Sequence, residues 1–184
     1  MIARVRIIAG SLKGRRLNPP TWDGVRPTSD KLRETLFNIV AARVEGARVL
    51  DGYAGTGAVG IEALSRGAGQ VTFVETDPRA AALVEANLAL CGVERGYTIH
   101  RGDVASVLRR LPAGAAFDLI LLDPPYDADT VMQTLEAAAA VLSPDGLVVL
   151  ERATRREPEV PAALTRVRDV KSGNSTLTFM TRPR

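Results

Sequence analysis

The segment DLILLDPPYDADT, Asp118 to Thr130, runs an apolar stretch into an acid, two prolines and an aromatic. Neither proline has a backbone N–H to give a sheet ladder, and each holds the residue before it in extended geometry. A strand carrying LILL must therefore stop at Asp123, with Asp123 and Tyr126 on a stiff loop at its mouth. A planar base with an exocyclic amine needs acceptors for its N–H groups and a flat partner for its π-face. The Asp123 carboxylate and the Pro124 carbonyl can supply the acceptors, and Tyr126 the flat face. The proline pair would fix their geometry before a substrate arrives, which spares ordering entropy. The plain alternative is a proline-rich end to a strand, with Asp123 in a local turn.

A second chemical pattern lies upstream. DGYAGTGAVG, Asp51 to Gly60, places Gly55, Gly57 and Gly60 in G-x-G-x-x-G spacing, and Glu75 follows Gly55 by twenty residues at the end of VTFVE. Glycines there allow a tight turn and close approach of a ligand to the main chain, and a strand-ending acid can accept from ribose hydroxyls. Two acids argue against a dinucleotide. Asp51 stands just before the turn, where a pyrophosphate would approach, and suits a cationic group or one rich in donors. Asp103, ending YTIHRGD, can accept from an adenine amino group or simply cap the next helix. S-adenosylmethionine, with an amino group, a sulfonium and no phosphate, fits these acids. All of them fall at carboxyl ends of expected parallel strands, where open α/β sheets bind ligands.

The elements that must position these groups follow from the hydrophobic pattern. RVRIIAG and LKGRRL read as two short strands about a turn, and NPPTWDGVRPT as a loop. Leu32, Leu36, Ile39 and Val40 recur at helical spacing behind a cap at Thr28 or Ser29. From Ala47 strands and helices alternate: ARVLDGY, VGIEALSRG, VTFVETD, PRAAALVEANLALCG, YTIHRGD, VASVLRRL, FDLILLD, TVMQTLEAAAAVL and GLVVLER. LTRVRDV and STLTFMT about KSGN read as an antiparallel hairpin. Continuous apolar strands between amphipathic helices predict an α/β fold with a parallel sheet covered on both faces. Two segments are expected: 1–46, a basic hairpin, loop and helix, and 47–184, the ligand-binding domain.

Composition narrows the class. The chain has 184 residues, 46% apolar and 24% charged, the balance of a soluble globular protein. No apolar run approaches the roughly 20 residues of a membrane span, the N-terminus lacks a signal peptide's apolar core, and Cys91 is the sole cysteine. A cytoplasmic, monomeric protein without a metal is expected. Residues 1–48 carry ten Lys/Arg against four Asp/Glu, and the remainder fourteen against seventeen. The basic front suits a phosphate-rich partner or a solvated surface.

Taken together, DGYAGTG, VETD and DPPY resemble class I S-adenosylmethionine-dependent amino-methyltransferases. RIIAGSLKGRRL, RPTSDKLRETLFNIV and TGAVGIEALSRGA are similar to a narrower group, the bacterial 16S rRNA guanine-N2 methyltransferases, from about Arg6 to the C-terminal hairpin. The departures are Tyr53, where Phe is commoner, and a last strand ending LTFM where an aromatic is usual. The resemblance implies a Rossmann-like sheet of seven strands whose last hairpin inserts an antiparallel strand. It implies cofactor contacts from Asp51, Tyr53, Gly55, Gly57, Glu75, Asp103 and Asp123, and a catalytic group of Asp123, Pro124 and Tyr126. It makes Arg4, Arg6, Lys13, Arg15 and Arg16 phosphate contacts on 16S rRNA or the small ribosomal subunit. It places Arg26, Thr28 and Arg33 in a segment closing over the cofactor or target base. Thr28 could also be only a cap, and Arg33 only a partner of Asp30 or Glu34.

The expected activity is transfer of a methyl group to the N2 amine of a guanine in small-subunit rRNA. A DNA adenine-N6 methylase would share DPPY, a nicotinamide-dependent oxidoreductase would leave it idle, and a non-catalytic RNA-binding assembly factor would not need it. Three residues are left outside this scheme. His100 is expected in a core or surface role and Cys91 as a small buried hydrophobe. Trp22 either stacks on a base or pins its loop to the domain.

Overall fold

A computed structural model describes residues 5–22, 29–125 and 130–184. Seven strands form one sheet: β1 (Arg48–Gly52), β2 (Gln70–Glu75), β3 (Tyr97–Arg101), β4 (Phe117–Leu122), β5 (Leu142–Ala153), β6 (Thr165–Ser172) and β7 (Ser175–Thr181). Their order is β3-β2-β1-β4-β5-β7-β6. The first five run parallel, whereas β7 pairs antiparallel with both β5 and β6. The tail hairpin thus inserts its second strand between β5 and its first, as the family resemblance implies.

Among the described residues, five α-helices cover the sheet: α1 (Asp30–Val40), α2 (Ala58–Ser65), α3 (Pro78–Leu90), α4 (Val104–Arg109) and α5 (Val131–Ala140). Their starts follow local chemistry. Ser29 Oγ accepts from the Leu32 N–H and caps α1. Asp77 caps α3, with Pro78 in the first turn, where a missing N–H costs nothing. Asp103 caps α4 through the Ser106 N–H. No helix of the described residues is long and apolar enough to cross a membrane.

The period-two pleat sends neighbouring residues of the central strands to opposite cores. Val49, Val71, Phe73, Leu119 and Val149 join one cluster. Leu50, Val74, Ile120, Leu122 and Val148 join the other. Val5, Ile7, Leu17, Leu32, Leu36 and Phe37 belong to the first cluster, so the N-terminal arm and α1 share the core of the sheet. The second holds buried residues of α4 and α5.

The arm differs from the expected pair of strands. Among the described residues its two limbs meet in one antiparallel bridge, Arg6 with Arg16. The outer backbone groups are satisfied instead by side chains of α2. Glu62 accepts from the Ile8 and Ala9 N–H groups at 2.8 and 3.0 Å, and Ser65 Oγ accepts from the Leu12 N–H and donates to the Ala9 carbonyl. A Cβ at Gly10 would lie 1.9 Å from the Ser65 carbonyl oxygen, at φ +83°. The arm therefore needs glycine at that crossing.

Candidate active site

The site forms where β1 and β4 end side by side. Asp51 pairs in register with Leu121 and Gly52 with Leu122. The Asp123 N–H reaches the Gly52 carbonyl at 3.4 Å. Asp51 and Asp123 thereby come to one cavity of about 20 Å3, whose wall includes Glu151 from β5 and which α1 closes with Leu32 and Leu36. Asp51 is 4% exposed. Burial pushes its carboxyl well above the usual range, and the nearby Asp123 and Glu75 push the same way against the Gly60 N–H that stabilises the anion.

The turn after β1 is tightly wound. Tyr53, Gly55 and Gly57 have φ of 65°, 56° and 79°, a left-handed conformation that costs a tyrosine but not a glycine. Tyr53 is held there by its hydroxyl, 2.8 Å from Thr134 Oγ1 on α5. Burial raises its phenol above the usual value. Gly60 has a different task. A Cβ there would sit 2.2 Å from the Phe73 ring, so this third glycine lets α2 pack on β2.

Three acids rim the turn, each tied to the backbone. Asp51 Oδ2 accepts from the Gly60 N–H at 2.8 Å. Glu75 accepts from the Gly55 N–H with Oε2 and from the Asp77 N–H with Oε1, at 2.8 and 2.9 Å. Asp103 Oδ2 accepts from the Ser106 N–H, so its capping role is present. A pyrophosphate at this turn would face Asp51, Asp123 and Glu75 together. A ligand bearing a cation and hydroxyl donors would be stabilised by the same groups.

Among the basic residues singled out in the sequence, Arg6, Lys13, Arg15 and Arg16 are exposed. Arg6 pairs with Asp30 at 3.2 Å. Among the described residues, Lys13, Arg15 and Arg16 form no salt bridge. Of the two roles open to Arg33, the structure shows the partner of Asp30 and not an exposed substrate contact. Arg33 is fully buried, donates to the Arg6 carbonyl and to Asp30 Oδ1, and lies 3.8 Å from Glu62. With its guanidinium enclosed, it fastens the arm to α1 and α2. Arg4, Arg26, Thr28 and Tyr126 lie outside the described residues.

Trp22 lies under the Arg79 guanidinium, 4.9 Å from it, so its own ring is held at the start of α3. Cys91 is buried, and His100 is half-buried on the edge strand β3. Sequence reasoning missed Glu62, Ser65 and Asn87. Asn87 accepts from the Asn18 N–H and donates to the carbonyls of Asn18 and Thr56, joining the arm to the glycine turn. A charged residue flanked by Ile61 and Ala63 in a helix with little polar surface was the available signal.

The strand order with an inserted β7, the glycine turn after β1 and the acid–proline pair after β4 define a class I methyltransferase fold. The chain belongs to the Conserved hypothetical protein 95 family, which matches residues 5–181. It is 34% identical over 173 residues to Ribosomal RNA small subunit methyltransferase D of Haemophilus influenzae, covering 92% of this chain and 89% of that one. The protein of the same name from Escherichia coli K12 is 32% identical over 162 residues, 86% of this chain and 80% of that one. Among solved structures, yhhF from Escherichia coli superposes with a TM-score of 0.85 at 31% identity, covering 98% of both chains.

Proposed function

We propose that the protein methylates the exocyclic N2 amine of a guanine in small-subunit rRNA, using S-adenosylmethionine. Relatives over most of the chain are named as small-subunit rRNA methyltransferases, which supports rRNA as the substrate. The observation that carries the reading is the meeting of Asp51 and Asp123 on one cavity at adjoining strand ends. One acid faces the glycine turn, and the other begins the Asp-Pro-Pro segment.

S-adenosylmethionine supplies an electrophilic methyl carbon on a sulfonium sulfur. In this reading the turn of Gly55 and Gly57 receives it, Glu75 accepts from its ribose hydroxyls, Asp103 serves its adenine, and Asp51 offsets its positive charge. Tyr53 shapes the turn through its bond to Thr134. The acceptor base leaves its stack to reach the site. Asp123 accepts from one N2 hydrogen and the Pro124 carbonyl from the other, which aligns the nitrogen with the methyl carbon. The N2 lone pair is delocalised into the ring and weakly nucleophilic. An anionic acceptor on its hydrogen pushes electron density back to nitrogen as positive charge develops there; as the N–C bond forms the C–S bond would break, S-adenosylhomocysteine would leave neutral, and one N2 proton would pass to Asp123 or to solvent. Tyr126 stacks on the ring. Arg4, Arg6, Lys13, Arg15 and Arg16 hold phosphates, which position RNA without reading its sequence.

Methyl transfer from tritiated S-adenosylmethionine to undermodified small-subunit particles and to naked rRNA, followed by nucleoside mass spectrometry, tests the reading. N2-methylguanosine is the expected product. A methylated adenine, or label on DNA alone, would replace it.

A further inference from the structure

The buried face of α3 carries one residue out of keeping with it. Ala80, Ala81, Val84 and Leu88 are apolar, and Asn87 is 0% exposed among them. Asparagine is one of the weaker helix formers, and a buried amide without partners is costly. Asn87 has its partners, all outside its own helix. Its Oδ1 accepts from the Asn18 N–H at 2.7 Å, and its Nδ2 donates to the Asn18 carbonyl at 3.2 Å. The side-chain amide thus meets Asn18 as a neighbouring strand's peptide would. The other Nδ2 hydrogen goes to the Thr56 carbonyl at 2.9 Å, which uses both donors.

Both partners lie in segments that bear on function. Asn18 follows Leu17, whose side chain is in the core and whose N–H donates to the Val5 carbonyl at 2.9 Å. The pairing of the arm's two limbs therefore sets where Asn18 lies. Thr56 is buried and stands between Gly55 and Gly57, both at positive φ. A glycine backbone loses much freedom when it is ordered, so a turn that presents its main chain to a ligand gains from being held beforehand. Glu75 holds this turn at the Gly55 N–H. Asn87 holds it one residue further on, at the Thr56 carbonyl.

We propose that Asn87 is a positioning residue for S-adenosylmethionine, carrying the placement of the arm, through Asn18, to the glycine turn. The inference rests on the reading above that this turn receives the cofactor. Two of the three bonds of the Asn87 amide go to the arm and one to the turn. Loss of the Asn18 N–H releases the amide to rotate away from the Thr56 carbonyl, and the turn then orders only when the cofactor binds. The arm's other side-chain clasp does not reach the turn. Ser65 Oγ bonds to the Leu12 N–H and the Ala9 carbonyl, at the arm's far bend.

Calorimetry with S-adenosylhomocysteine and no RNA tests this, because phosphate contacts of the arm then play no part. Asn87→Ala should weaken binding by about 10-fold, and Asn18→Pro, which removes the N–H of an exposed residue, by about 3-fold. The double variant should lose no more than Asn87→Ala alone, since both act through one chain of bonds. Ser65→Ala, which loosens the arm at its far bend, should lower the melting temperature and leave affinity unchanged. Circular dichroism checks folding, and if Asn87→Ala does not fold, Asn18→Pro set against Ser65→Ala decides. Wild-type affinity in a folded Asn18→Pro protein would overturn the inference. So would losses that multiply in the double variant, or an equal loss in Ser65→Ala. Glu75→Ala separates this inference from the reading beneath it. If that variant weakens binding and Asn87→Ala does not, the turn holds the cofactor and Asn87 serves the fold alone. If neither weakens it, the cofactor lies elsewhere and both fall.

Discussion

On the β1–β2–β3 side of the site every acid is tied to a nearby main-chain N–H. Asp51 holds Gly60, Asp103 holds Ser106, and Glu75 spans Gly55 and Asp77. On the β4–β5 side the wall is set differently. Pro124 and Pro125 stiffen one edge by their rings, and Arg152 folds the other through partners on β6 and β7, Asp169 and Thr178. The first side is built from bonds within consecutive strand–turn–helix units. The second depends on strands that come together only when the tail hairpin inserts. The first wall is thus set mainly by bonds between groups close in the chain, and the second by groups farther apart in it.

The sharpest way to break this comparison is at Asp123, which sits where the two halves meet. Asp123→Ala removes the anionic acceptor from the amine that must be aligned. Single-turnover methyl transfer should fall roughly a hundred- to a thousandfold, with far smaller change in affinity for S-adenosylhomocysteine. A parallel loss of cofactor affinity of the same size would move Asp123 to the cofactor half. Asp123→Asn keeps one acceptor oxygen, and substantial residual activity there would favour positioning over proton removal.

Glu75→Ala tests the other half. It removes acceptors expected for the ribose and releases the Gly55 and Asp77 N–H groups from their partner. Cofactor affinity should weaken by about 1.5–3 kcal/mol, the range for hydrogen bonds to a charged group. The rate of methyl transfer at saturating cofactor should change much less. Calorimetry showing unaltered affinity would place the ribose elsewhere.

The same local-versus-distant contrast governs what the sequence made legible. The glycine turn, Glu75, Asp103 and the end of β4 could be read because each signal lies within a few residues of the group it positions. The parallel sheet followed from continuous apolar runs between helices, and the inserted tail strand from the family resemblance. For Arg33 the pairing with Asp30 was open to the sequence, but its burial was not, because that depends on Glu62, twenty-nine residues away, and on a backbone carbonyl of the arm. Glu62, Asn87, Glu151 and Arg152 were invisible for the same reason. Their partners or cavity walls lie on segments that spacing alone cannot bring together. Arg15 and Arg16, by contrast, are as exposed as a basic surface run suggests.

Those two arginines give the smallest and most selective effect. The arm that carries them is anchored by Val5, Ile7 and Leu17 in the core and by Glu62 and Ser65 along its edge. Neither anchor uses the Arg15 or Arg16 side chain, so replacing both with glutamine should leave the fold and cofactor affinity where they were. If each contacts a phosphate, the log–log dependence of RNA affinity on salt should flatten by about one to two units, because each lost contact releases roughly one fewer counterion. Affinity should fall by a similar factor for every RNA tested, since phosphate contacts carry no base information. A salt dependence identical to wild type would make the arm a structural clasp whose charge is solvated, and the RNA track would then lie with the basic residues of the tail. There Arg166 is already shared between Glu157 and Asp169, whereas Arg155, Arg168 and Lys171 stand exposed, and the same salt titration on an Arg168→Gln, Lys171→Gln protein would detect it.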